Sequence, residues 1–170
     1  MFEWLWTTKQ DLQHWWFAAL FLTALWKGAA PERILSGVFA GVVAVHLLYH
    51  LAVGGSIVWH HLELGHLAID CAIFAITVPV ALQANRTYPL WIGSAQIIAV
   101  MAHVYRFSLT EIDRFAYYMM SIAPSYIQLI ALTLGLGFHM WRRRMLGSYP
   151  SWRSSFSPAP ALKPKRRPGG

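Results

Sequence analysis

Four stretches of this chain, residues 34–53, 64–83, 90–107 and 115–141, hold only two formal charges between them, Asp70 and Arg106. Each is close to the length of about 20 residues that a helix needs to cross a bilayer. A soluble domain carries charge on roughly one residue in four; here the figure is 12%. The apolar residues come in long runs rather than in alternation, which predicts helices rather than strands. A fifth, shorter run covers 15–26, and residues 12–30 can complete it.

The predicted fold is an all-α integral membrane protein. It is a helical bundle of five transmembrane helices, or of four if the short first run does not cross. Three regions follow. Residues 1–13 read as an interfacial amphipathic segment or the frayed start of the first span, with Phe2, Leu5, Trp6 and Leu12 on one side. Residues 14–141 are the bundle, and residues 142–170 are a disordered polybasic tail. A cleaved leader is the other reading of the first run, but its front is not basic and Pro31 would follow the cut.

The net charge of +7 belongs to the tail. Residues 142–170 carry eight of the fourteen Lys and Arg and no acid, so the remainder is near neutral. The tail is short and no nucleic-acid-binding fold accompanies it, so nucleic acid is not an expected partner. The tail instead puts the C-terminus in the cytoplasm of a bacterial inner membrane and can attract anionic lipid headgroups. Counting back, Arg86, Lys27 and Arg33 are then cytoplasmic, and the Lys- and Arg-free 54–63 connector lies outside. The lone Cys71 forms no internal disulfide and reads as a small packing residue.

Titratable groups inside such runs point to a site, because exposing them to hydrocarbon is costly. Side chains three, four or seven apart share a helix face. By that rule the second run carries His46 and His50, and the third carries His66, Asp70 and Thr77. The fourth carries Gln96, His103 and Arg106. The fifth carries Tyr118, Ser121, Ser125 and Gln128. Each set forms one stripe, which predicts faces turned to the bundle interior. His46, His50, His66, Asp70 and His103 are the candidate metal ligands, since neutral imidazole and carboxylate bind transition metals. His46 facing His103 is the candidate axial pair for a heme b. His46-x3-His50 partly resembles one histidine box of membrane desaturases and hydroxylases, but their further boxes are absent.

Two other functions are compatible with the same residues. They can hydrogen-bond between helices in an accessory or assembly subunit, with Gly37 and Gly41 offering a close-packing face to another copy or to a partner in a membrane complex. They can also pass protons or line a path for a small solute. No phosphate loop, His-Glu-x2-His motif or placeable Ser-His-Asp set is present, so no catalytic residue is assigned.

Overall fold

The computed structural model describes residues 2–53, 59–108, 114–147 and 149–153. Five helices follow in chain order: α1 (Phe2–Lys27), α2 (Ala30–Val53), α3 (Trp59–Gln83), α4 (Tyr88–Ser108) and α5 (Arg114–Leu146). No strand occurs among the described residues beyond a single bridge between Ala84 and Trp152. Residues 2–27 form one continuous helix, so the segment before Gln13 runs directly into the first apolar run. The last helix continues past Trp141 to Leu146. Arg142, Arg143 and Arg144 are good helix formers and suit the negative end of the helix dipole.

Local chemistry sets the helix ends. The Gly28 N–H donates to the Ala24 carbonyl at 2.8 Å, closing α1. A Cβ at Gly28 would sit 2.5 Å from that same oxygen, so only glycine fits the turn. Two residues later α2 starts. Glu32 reaches back to accept the Ala29 N–H at 3.1 Å, as the carboxylate half of a capping box does. At the end of α5, Gly147 adopts φ +74° and its N–H donates to the Arg143 carbonyl. That left-handed cap reverses the chain. Residues 149–153 then return along the 83–86 turn: Asn85 N–H donates to the Ser151 carbonyl and Arg153 N–H to the Gln83 carbonyl. The rest of the expected tail, residues 154–170, lies outside the described residues.

Helix α4 is central, packing most extensively on α5 and α3, while α1 packs chiefly on α2. Its buried face, Tyr88, Ile92, Ala95, Gln96, Ala99, Ala102 and His103, repeats at helical spacing. The small residues in that series let the neighbouring backbones approach. Phe17 stacks on Phe39 with centroids 5.2 Å apart, tying α1 to α2. Gly37 lies against the Phe21 ring, so half of the small-residue pair serves packing within the chain, whereas Gly41 faces open space.

Among the described residues, two stretches, Leu64–Gln83 and Ile122–Leu146, are long and apolar enough to cross a membrane. Cys71 is exposed rather than packed inside. Its neighbours Asp70 and Ile73 take the inward side of α3.

Candidate functional site

The bundle holds two polar clusters, one toward each end. The first joins α3, α4 and α5. Gln96 Nε2 donates to the Asp70 carbonyl oxygen at 2.9 Å and to Asp70 Oδ1 at 3.1 Å. Gln128 Nε2 donates to Gln96 Oε1 at 2.7 Å. His103 Nε2 lies 3.0 Å from Asp70 Oδ2. Gln96, His103 and Gln128 are all at least 95% buried, so these bonds replace the water each group gives up.

With Asp70 ionised and the His103 ring neutral, the carboxylate only accepts, so the shared proton sits on Nε2 and the lone pair on Nδ1. That atom is buried and has no hydrogen-bond partner among the described residues. Asp70, Gln96 and Gln128 also line a cavity of about 250 Å³, whose other walls include Lys9, His14 and Ser125. The Lys9 ammonium stands 4.9 Å from the Tyr126 ring centroid on α5, holding the start of α1 against the cavity.

Of the five candidate ligands, the structure brings Asp70 and His103 together. His66 is half-buried one turn before Asp70 on α3. The side chains of His46 and His50 lie outside the described residues, as do those of Tyr118 and Ser121. Among the described residues, no group of three or more His, Cys, Asp or Glu is placed to hold a metal ion. The stripe on α4 holds for Gln96 and His103 but not for Arg106, which is exposed. Arg106 is within the last turn of its helix, where the long side chain can reach the surface.

The second cluster sits where α1 and α5 end. Arg86 Nε pairs with Glu32 Oε1 at 2.8 Å, with side-chain exposures of 6% and 0%. The Arg86 guanidinium also stacks 4.8 Å over the Tyr149 ring and donates to the Tyr149 hydroxyl. That hydroxyl lies 2.7 Å from His139 Nδ1. Tyr88 packs its ring on Gly135, where a Cβ would fall 2.3 Å from the ring. Its hydroxyl approaches Glu32 without a hydrogen bond of normal geometry. Burial, with the Glu32 charge second, holds the Tyr88 phenol far above its ordinary range.

Sequence reasoning used Arg86 only as a topology marker and passed over Glu32 and His139. The available signal was an acid in the first turn after Pro31 and a lone arginine in the 84–87 turn, at the same end of the bundle. An apolar layer separates the clusters: Leu35, Ile92, Leu132 and Leu136 are each at most 1% exposed. On α4, Ile92 stands one turn from both Tyr88 and Gln96. On α5, Leu132 and Leu136 fill the turns between Gln128 and His139.

No family model, curated protein or solved structure matches this chain.

Proposed function

We propose that this is an integral protein of a bacterial inner membrane that binds a transition-metal ion at His103, with Asp70 as the group that orients the imidazole. The membrane reading is supported by where polarity lies. Glu32, Gln96, His103, Gln128 and His139 are buried, while Leu22, Leu47, Leu51, Leu134 and Phe138 are each more than half exposed. Water-soluble monomers rarely expose apolar surface on that scale. Each helix has at least 21 residues, which at about 1.5 Å per residue is enough to span hydrocarbon. Five crossings put Arg86 and the Arg142–Arg144 run on the cytoplasmic side.

The metal reading rests on one observation: the buried, unpartnered Nδ1 of His103, opposite an Nε2 that is bonded to a carboxylate. Metal-bound histidines typically donate their other ring N–H to a carboxylate or carbonyl, which fixes the ring and raises ligand basicity. Asp70 takes that supporting role here, since both its oxygens are already engaged. His66, His46 and His50 are the candidates for the remaining ligands. The test is metal analysis of protein purified in mild detergent, beside His103→Ala. One ion per chain that disappears in the variant supports the proposal. Metal-free protein after growth in metal-replete medium refutes it.

A second reading, proton or small-solute conduction, is favoured by the unbroken Gln128–Gln96–Asp70–His103 chain beside the cavity. The buried leucine and isoleucine layer argues against free passage to the other end. Proteoliposomes that show no pH-driven flux sensitive to Asp70→Asn would remove it.

A further inference from the structure

The second cluster contains an unmet donor, and its identity follows from the bonds around it. Arg86 donates to the Tyr149 hydroxyl, which leaves the hydroxyl proton able to go to the other neighbour, His139 Nδ1. A neutral His139 with Nδ1 accepting must carry its own proton on Nε2. His139 is 95% buried, and among the described residues Nε2 makes no hydrogen bond of normal geometry. The Lys27 carbonyl is near but does not satisfy it. A buried donor without an acceptor is costly, so the missing partner is an acceptor.

His139 lines a polar cavity of about 290 Å³, together with Arg33, Arg143 and the Ala29–Ala30 start of α2. Arg33 and Arg143 are exposed, and the described hydrogen bonds of their guanidinium groups are long ones of 3.4 Å to the Ala24 and Lys27 carbonyls. Each guanidinium has five N–H donors in a fork that matches phosphate oxygens. The nearby carboxylate, Glu32, is neutralised by Arg86. The field at the cavity mouth is therefore cationic.

We infer that this cavity is a phosphate-binding site: Arg33 and Arg143 clamp the phosphate oxygens, and His139 Nε2 donates from the floor. The phosphate is carried either by a lipid headgroup or by a free anion. The lipid source requires the membrane reading above, while the free-anion source does not. Neither depends on a metal at His103.

The experiment uses the full chain in mild detergent. Inorganic phosphate binding is measured by isothermal titration against chloride at matched ionic strength, and retained phospholipid is counted by native mass spectrometry after delipidation. Arg33→Gln/Arg143→Gln and Arg33→Lys/Arg143→Lys serve as variants, and circular dichroism checks their folding. Saturable phosphate binding, at least tenfold weaker in the Gln pair and largely kept in the Lys pair, supports the site with a free anion. One phospholipid per chain in the wild type, lost in the Gln pair, supports it with lipid. Wild-type protein that binds neither probe overturns the inference, as does a folded Gln pair that binds either probe as the wild type does. Separately, ¹⁵N spectra must show His139 with its proton on Nε2; the Nδ1–H tautomer would remove the argument.

Discussion

Removing Arg86 should damage this protein more than a surface arginine would. Its partner Glu32 is fully buried and its ion pair is 2.8 Å long. Arg86→Ala leaves that carboxylate without its counter-charge. Breaking one side of a buried pair costs about 3–5 kcal/mol. The same change removes one partner of the Tyr149 hydroxyl and ring, loosening the returning 149–153 segment. At about 2–4 °C per kcal/mol for a chain of this size, the unfolding midpoint should fall by about 6–20 °C. Thermal unfolding in detergent, followed by tryptophan fluorescence, measures it. The Glu32→Gln/Arg86→Met double variant should recover most of the loss, because replacing both charges removes the unpaired one. A fall of under about 2 °C in Arg86→Ala, or a double variant as unstable as the single one, would refute this account of the cluster.

Other expectations follow from the same contacts. Gly135→Ala puts a methyl into the Tyr88 ring and should cost about 1–3 kcal/mol by overpacking, read as a lower midpoint that Tyr88→Leu partly restores. Gln96→Leu strands Asp70 and Gln128 together and should destabilise by about 1–3 kcal/mol for each orphaned group. Gln128→Leu, which strands one group, should cost less in the same assay. The raised Tyr88 pKa has a definite sign. The unfolded phenol ionises near 10.0 while the folded one stays protonated. Its contribution is therefore complete below pH 10 and is lost as pH climbs above it. Alkaline titration of the unfolding midpoint should show a shallower decline above pH 10 in Tyr88→Phe than in the wild type.

The helices and part of the site were legible in the sequence, for reasons that particular residues make plain. Gln96 and His103 are seven apart, and seven residues return a side chain to nearly the same helix face. Their shared burial follows, and Asp70 and Gln128 are the inward polar groups on the neighbouring helices. Which candidate ligands meet was less legible, because spacing along one helix gives no distance between helices. Asp70, read as a candidate ligand, bonds Gln96 and His103 through its two carboxylate oxygens. The second cluster was hidden for a different reason. Glu32, Arg86, His139 and Tyr149 stand on four separate segments, with no spacing that links them. Only the Gly147 cap and the return of 149–153 along the 83–86 turn bring them together. Tyr149 in particular lies among Gly, Ser and Pro residues that read as tail.

Cobalt(II) titration of the metal-free protein, followed by d–d absorption, tests the proposed His103 centre most directly. Ligation by imidazole nitrogen should give a saturable band at one equivalent, abolished in His103→Ala. In Asp70→Asn it should appear at about 10–100-fold higher cobalt concentration, the usual cost of losing a carboxylate behind a metal-bound histidine. No saturable band in the wild type, or one unchanged in folded His103→Ala, would contradict the central claim.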